Sequence, residues 1–463
     1  AGEGARRVQV QFAGASTADA SALVGRHIAI TNDAGNRASH AIVAAEPIEG
    51  GDTGTSVTPW TEGFVNTRVF DLFVSQTYTV MSNEVLTAVP LFLFMGYILE
   101  SSGLMERLFK AFQMLMARIS GSLYIAVTAT ATIFAAATGI VGSSVTLLGV
   151  MAGPTMKQGG YDVRLSAGCI TAGGTLGILI PPSIMLVVMG PVVGVPVTDL
   201  FAAAILPGII LASLYMGYCL IRCLINPKLG PALTLDLRAP SAAWLVKELV
   251  LGVAPVTMVI IATLGTIMFG LATPTEGAAC GAVGSLLLSM AYRRMTWNNL
   301  LNSFYRTVEI SAMILLLCAA SNFFGAVFSR LGSATMLTNL LLGLHLDPML
   351  MLLAIMLLIF VLGWPLEWVP IVLIIIPILM PLVRAEGYNL VWFCTLVAVT
   401  LQTAWLSPPV ALSAYFLKGV VPDWSLKDIY VGMVQFMGLQ VLGMILLLLF
   451  PALATWLPVV MRQ

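Results

Sequence analysis

The sequence carries one helix-breaking signature twice, 227 residues apart. The first copy is GTLGILIPPSI at residues 174–184, and the second is QTAWLSPPVAL at residues 402–412. The same offset relates Pro181 to Pro408, Pro182 to Pro409, Pro154 to Pro381, Gly160 to Gly387 and Tyr161 to Tyr388. These landmarks lie in strongly apolar sequence and indicate a duplicated membrane unit. Hydrophobic segments interrupted by Pro and Gly in both halves of a chain are typical of a secondary transporter's binding site.

The composition supports a membrane protein. Hydrophobic residues make up 59% of the chain and charged residues 10%, whereas soluble domains have roughly 25% charged residues. Because about 20 apolar residues span a bilayer, we predict roughly ten to twelve spanning or re-entrant segments. The net charge of +0 gives no reason to expect a nucleic-acid partner. The six cysteines have no metal-ligand spacing and are predicted to be small buried hydrophobes. Neither an enzyme nor a cofactor is expected.

The chain divides near residue 65. Residues 1–65 form an atypical polar segment with β-like runs at 6–12 and 27–31, and they lack the pattern of a signal peptide. This segment is either an extramembrane extension or an artefact such as out-of-frame translation. Residues 66–463 are predicted to form one membrane unit. Within it we expect a first repeat at about 80–225, scaffold helices at about 245–295 and a second repeat at about 305–460.

Loop charges predict the orientation of the chain in the membrane. Residues 226–247 and 293–306 are basic, and two predicted spans joined by a turn separate them. The positive-inside rule places both basic segments in the cytoplasm and the turn at 271–277 on the opposite side. In that turn, Thr273 and Glu276 fit a capping box, although a contact with a partner protein is an alternative. Residues 102–118 are predicted to form an amphipathic helix along the interface.

A double proline in an apolar run removes two backbone donors and must break the helix. The freed backbone groups are costly at membrane depth unless protein, water or an ion satisfies them. The polar and small residues beside the breaks suit a hard cation: they are Thr175, Gly177 and Ser183 in the first half, and Gln402, Thr403 and Ser407 in the second. A Pro kink satisfied by neighbouring helices is the alternative.

A second interruption precedes each break. In the first half, Gly142, Ser143 and Ser144 favour the tip of a re-entrant hairpin, or else a face where helices pack through small residues. In the second half, Glu367 is an acid within an apolar stretch at 363–381. Such an acid is either functional or held at the membrane interface by Trp364 and Trp368.

These stretches resemble the large membrane subunit of tripartite ATP-independent periplasmic (TRAP) transporters. The resemblance runs from about residue 69 to the C-terminus and rests on VPLFLFMGYILESSGL, TGIVGSSVTLLG, TAGGTLGILIPPSI, ATPTEGAACGAVGSLL and LSPPVAL. The first-half motifs are most similar to the branch associated with mannitol/chloroaromatic compounds or 2-oxo acids. Family members usually begin with a hydrophobic helix, which residues 1–65 do not supply.

The resemblance implies an all-α polytopic membrane protein with two inverted repeats, each with a re-entrant hairpin and a broken helix. Such proteins are sodium-coupled elevator importers of organic acids in the bacterial inner membrane. They work with a small four-helix membrane subunit and a periplasmic solute-binding protein. By motif matching, one sodium site uses Gly363, Ala404, Ser407 and Val410 with Ser143, and the symmetric site uses Gly177, Ile180 and Ser183. Family members have Gly where this chain has Ala404.

Two alternatives remain open at this level. One is a standalone sodium/carboxylate symporter of related architecture, which needs no binding protein. The other is a membrane assembly subunit that does not transport. Neither the substrate, the sodium stoichiometry nor the oligomeric state can be derived from the sequence.

Overall fold

The computed structural model describes residues 8–11, 27–31, 37–47, 54–60, 67–232, 241–408 and 411–462. The chain forms two compact units, Ala1–Asp71 and Leu72–Gln463. In the first unit, four antiparallel strands lie in the order β1-β4-β3-β2. They are β1 (Val8–Gln11), β2 (His27–Thr31), β3 (Arg37–Pro47) and β4 (Gly54–Trp60). The two β-like runs predicted from the sequence are therefore strands.

The rest of the described chain is helical. The helices are α1 (Thr67–Met81), α2 (Ala88–Ser101), α3 (Leu104–Leu115), α4 (Ser122–Thr138), α5 (Val141–Gln158), α6 (Val163–Thr175), α7 (Ile184–Val193), α8 (Val197–Ile225), α9 (Ala242–Ile260), α10 (Thr266–Met268), α11 (Pro274–Ala291), α12 (Trp297–Arg330), α13 (Ser333–Leu342), α14 (Pro348–Gly363), α15 (Trp368–Pro370), α16 (Ile376–Ala385), α17 (Leu390–Gln402), α18 (Leu412–Val420), α19 (Leu426–Leu449) and α20 (Ala452–Met461). Two π-helical segments join α9 to α10 and α15 to α16.

The helices confirm a polytopic membrane architecture. Among the described residues, six helical segments are long and apolar enough to cross a membrane, and five shorter apolar helices accompany them. This number agrees with the ten to twelve segments predicted from the sequence. The loop predicted at 293–306 is shorter than expected, because α12 already begins at Trp297 and includes Arg306. Thr296 caps that helix by accepting a hydrogen bond from the amide of Asn299.

The 227-residue offset extends from single residues to whole elements. It superimposes the bounds of α6 on those of α17, and the 3-10 turn Leu176–Ile178 on Thr403–Trp405. The local causes also repeat. Asp162 caps α6 and Asn389 caps α17, each through a side-chain oxygen that accepts a backbone amide. Gly160 and Gly387, just before these caps, both have positive φ angles, a conformation that favours glycine. The two halves are therefore structural repeats.

Helices α2, α3, α9, α11 and α12 pack against one another. The predicted amphipathic segment is α3, which buries Leu104 and Leu108 and exposes its Glu106 and Lys110 side chains. Arg107 on α3 donates two hydrogen bonds to Glu248 on α9, at 2.8 and 2.9 Å. This bidentate pair fixes α3 against α9.

The capping box predicted at residues 273–276 is confirmed. The Thr273 amide donates to Glu276 Oε2 at 2.8 Å, and the Glu276 amide donates to Thr273 Oγ1 at 3.3 Å. Thr275 also donates to the carbonyl of Glu84, so the start of α11 is tied to the start of α2. The prediction for the cysteines was wrong at one position, since Cys280 on α11 is exposed while the other five are buried.

Candidate functional site

The first break separates α6 from α7. After the 3-10 turn at Leu176–Ile178 the chain is not helical until Ile184, because Pro181 and Pro182 supply no amide hydrogens. Ser183 is fully buried at the start of α7, and its hydroxyl donates to the carbonyl of Ile178 at 2.5 Å. That hydrogen bond replaces one of those lost where the helix is interrupted.

The turn between α4 and α5, which we call the tip of hairpin 1, lies against this break. A Cβ atom on Gly177 would lie 3.5 Å from the amide nitrogen of Ile140, and one on Gly139 would lie 3.1 Å from the carbonyl oxygen of Pro182. Gly139 also has a φ of 64°. Ser144 closes the tip by donating to the carbonyl of Ile140 at 2.8 Å. Gly139 thus allows the hairpin tip to approach the backbone of the break closely.

The second break repeats this arrangement, again with a glycine on the hairpin side. The turn after α14, which we call the tip of hairpin 2, brings Gly363 against Ala404. A Cβ atom on Gly363 would lie 3.2 Å from the Cβ of Ala404. The residue that departs from the family motif therefore packs on a glycine of the hairpin. Pro408 ends the described part of this break, and the predicted Pro409 and Val410 lie outside the described residues.

Hydroxyl groups beside the second break are buried and bonded to the local backbone. Ser407 donates to the carbonyl of Thr403 at 2.6 Å, and Thr403 donates to the carbonyl of Thr400 at 2.6 Å. A donating hydroxyl keeps its oxygen lone pairs, so both groups remain able to accept or to ligate a cation.

Two predicted site residues carry buried polar atoms without a partner. Among the described residues, the hydroxyl of Ser143 and both amide atoms of Gln402 have no hydrogen-bond partner. Such atoms are costly when buried. The equivalent of Gln402 in the first repeat is Thr175, whose hydroxyl accepts a hydrogen bond from Gln440 at 3.2 Å. The two repeats therefore share a backbone plan but differ in their polar side chains.

A cavity of about 510 Å³ lies between the two hairpin tips and the helices α2 and α12. Its lining includes Gly142, Ser143 and Glu367 from the hairpins. Glu367 therefore faces a cavity in the molecule, and Trp368 beside it is 8% exposed. Trp405 and Phe416 stack with ring centroids 6.5 Å apart and form another wall.

Other predicted residues lie behind this cavity. Ile180 packs against Gly208 on α8, where an added Cβ would lie 2.7 Å from the Ile180 side chain. Gly177, Ser183, Ser407 and Thr175 also do not line the cavity. Of the predicted residues, Gly142, Ser143 and Glu367 line the cavity, whereas Ser144, Gly363 and the described residues predicted at the breaks do not.

Three cavity-lining charges were not predicted as site residues. Glu100 is on α2, and Arg306 and Glu309 are on α12. Arg306 lies over the ring of Tyr97, with its guanidinium carbon 5.8 Å from the ring centroid. Charged residues inside helices long enough to span a bilayer are a general signal of function. Arg306 escaped that signal because it was assigned to a basic loop.

Paired broken helices and helical hairpins, arranged as sequence repeats around a cavity, define a secondary transporter. Residues 53–453 match the family described as "Tripartite ATP-independent periplasmic transporter, DctM component". The chain therefore belongs to this family and is a large permease subunit, a multi-pass protein of the bacterial inner membrane rather than an enzyme. The resemblance inferred from the sequence motifs is confirmed at the level of the family, and its assignment to one branch stays a prediction.

Two relatives and one solved structure illustrate the match. A putative TRAP transporter large permease protein of Haemophilus influenzae is 29% identical over 80% of this chain and 85% of its own length. The C4-dicarboxylate TRAP transporter large permease protein DctM of Rhodobacter capsulatus is 27% identical over 85% of this chain and 92% of its own length. The fold is similar to the crystal structure of the Alcanivorax borkumensis YdaH transporter, with a TM-score of 0.63 and 14% sequence identity. The match covers 96% of this chain and 97% of the YdaH chain.

Proposed function

We propose that this subunit imports an organic carboxylate, coupled to sodium, across the bacterial inner membrane. The observation that carries the proposal is the repeated packing of a hairpin tip on a helix break in both halves, next to one cavity. A duplicated site of this kind suits alternating access, in which a bundle presents its contents first to one side and then to the other.

Sodium coupling is supported by the chemistry at the breaks. Sodium is a hard cation that prefers oxygen ligands, and each break offers backbone carbonyls and serine or threonine hydroxyls. The unpartnered hydroxyl of Ser143 and the unpartnered carbonyl oxygen of Gln402 are further oxygens that lack a protein donor in the described chain. A bound ion would remove the cost of burying them.

The substrate class is supported by the cavity and by a relative. The cavity holds about 510 Å³, which suits a small organic acid, and the Rhodobacter capsulatus relative is named for C4-dicarboxylates. Arg306 offers a guanidinium for a carboxylate within this cavity.

The tripartite family to which the chain belongs supports a proposal of two partners. We propose that a small four-helix membrane subunit supports the scaffold helices and that a periplasmic solute-binding protein delivers the substrate. The hairpins and broken helices would then move as one body along the scaffold in an elevator motion. Gly96 on α2 meets the carbonyl of Thr138 at the tip of hairpin 1, and this contact would be one of those that slide.

Reconstituted uptake tests the proposal. Proteoliposomes containing this subunit and its small partner would be given labelled dicarboxylates, 2-oxo acids and hydroxy acids, with each of sodium gradient and binding protein present or omitted. We expect uptake only when both are present. Uptake that needs sodium alone would instead support a standalone symporter. A lack of uptake under every condition would contradict a transport function.

A further inference from the structure

The cavity between the two hairpin tips and helices α2 and α12 is lined by one basic side chain and several acidic ones. Among the described residues that line it, Arg306 is the only basic side chain, while Glu100, Glu309 and Glu367 are acidic. With these groups ionised the lining carries more negative than positive charge. An organic anion entering the cavity is therefore repelled by three carboxylates and attracted by a single guanidinium.

Arg306 is held loosely. Its Nη1 atom lies 3.6 Å from Glu100 Oε1, which is beyond the distance of a good hydrogen bond. The Arg306 side chain is 60% exposed, whereas that of Glu100 is 19% exposed. The guanidinium lies over the ring of Tyr97, a contact that uses none of its hydrogen-bond donors. The donors of Arg306 are thus available to another carboxylate.

One carboxylate oxygen of Glu100 is unpaired in the described chain. Its Oε2 atom is buried and has no hydrogen-bond partner among the described residues. Because burying an unpaired carboxylate oxygen is costly, Glu100 binds Arg306 when no substrate anion is present. The long contact between Arg306 and Glu100 allows Arg306 to exchange Glu100 for another carboxylate.

The cavity lies toward the end of α2 that faces the basic turn after α11. A Cβ atom on Gly103, three residues beyond Glu100, would lie 3.6 Å from Nε of Arg294 in that turn. The positive-inside rule places this turn in the cytoplasm. Glu100 and Arg306 therefore lie between the hairpin tips and the cytoplasmic face.

We propose that Arg306 on α12 is a substrate-binding residue on the cytoplasmic release path, and that the substrate carboxylate and Glu100 bind it in exchange. This inference rests on the proposed import of an organic carboxylate. Arg306 takes up the carboxylate in bidentate form, and Glu100 displaces it as the substrate leaves. The surrounding acids weaken binding of the anion once sodium has dissociated, and the sodium gradient gives transport its direction.

Tryptophan fluorescence provides a binding measurement that does not depend on transport, because Trp368 and Trp405 both line the cavity. The full chain with its small partner would be titrated in sodium buffer with succinate, 2-oxoglutarate and lactate. We expect a saturable change for at least one of these acids. Arg306→Ala should weaken its apparent Kd at least about tenfold, and Arg306→Lys should lie between, because lysine keeps the charge but loses the fork.

Two matched controls separate this role from general effects. Arg222→Ala also removes an arginine stacked on a tyrosine, Tyr218, but outside the cavity, and should leave the Kd unchanged. Glu100→Gln should tighten the Kd more than Glu309→Gln, although both remove one negative charge from the same cavity. Thermal unfolding and size-exclusion profiles would verify that each variant is folded.

The outcomes distinguish this inference from the proposed function. A wild-type Kd for Arg306→Ala, or equal effects of Glu100→Gln and Glu309→Gln, would overturn the exchange at Arg306 even if uptake proceeds. Sodium-dependent uptake without any saturable fluorescence change in the wild type would overturn it as well. A loss of all uptake in the wild type would contradict the proposed function itself.

Discussion

At the scale of single residues, the two repeats place different chemistry on the same backbone plan. Thr175 and Gln402 occupy equivalent positions at the ends of α6 and α17, and both are fully buried. Thr175 receives a hydrogen bond from Gln440, whereas Gln402 has no partner in the described chain. A buried amide without partners is tolerated only where an ion, a water molecule or a second conformation satisfies it. We therefore expect the two breaks to bind sodium with different affinities.

The capping box at the start of α11 gives a prediction about pH. Hydrogen bonds from the backbone and side chain of Thr273 lower the pKa of Glu276. A carboxylate with a lowered folded-state pKa stabilises the protein above its unfolded-state pKa, and this contribution is lost as the pH falls through the folded-state pKa. Glu276→Gln should therefore lower the unfolding temperature at neutral pH and cause no further loss in strongly acidic buffer. A difference that is independent of pH would contradict this role.

At the scale of elements, each hairpin tip needs one contact without a Cβ atom where it meets its break. In the first repeat Gly139 meets this need, and in the second Gly363 meets it opposite Ala404. The family resemblance placed Gly363 and Ala404 in one predicted sodium site and indicated the missing glycine at 404. It did not indicate that the two residues pack directly on each other, because that contact depends on how the hairpin and the break are positioned in the fold.

This compensation predicts a reciprocal pair of variants. Gly363→Ala adds a Cβ atom 3.2 Å from that of Ala404, and such overpacking typically costs about 1–3 kcal/mol. The double variant Gly363→Ala with Ala404→Gly should recover stability and uptake, since the glycine is only moved across the contact. Thermal unfolding and sodium-driven uptake would measure both. Equal defects in the single and double variants would argue against a direct contact.

At the scale of the whole molecule, the sequence predicted the parts that depend on local chemistry. The proline pairs and the capping box each act within a few residues, and the duplicated landmarks indicated the repeats. The cavity lining could not be predicted in the same way. Tyr97, Glu100 and Arg306 come from helices about 200 residues apart, and only the packing of α2 on α12 brings them together.

The contact between α2 and the tip of hairpin 1 gives a prediction about the packing of the repeats on the other helices. A Cβ atom on Gly96 would lie 2.9 Å from the carbonyl oxygen of Thr138, and backbone atoms cannot rotate away. Gly96→Ala should lower the unfolding temperature and slow uptake. Gly217→Ala on α8 is the matched control, because an added Cβ there meets no atom within 4 Å. Similar unfolding temperatures and uptake rates for the two variants would show that this contact does not contribute to stability or transport.

Direct sodium binding is the measurement that bears most closely on the proposed coupling. Radiolabelled sodium would be titrated onto the purified subunit without organic acid or binding protein. We expect saturable binding that potassium does not displace, weakened at least about tenfold, or about 1.4 kcal/mol, in Ser143→Ala and in Ser407→Ala. Ser213→Ala should bind as the wild type does, since Ser213 is exposed and bonds only within α8. A lack of saturable binding would contradict sodium sites at the two helix breaks, and wild-type binding in both variants would contradict the site assigned to Ser143 and Ser407.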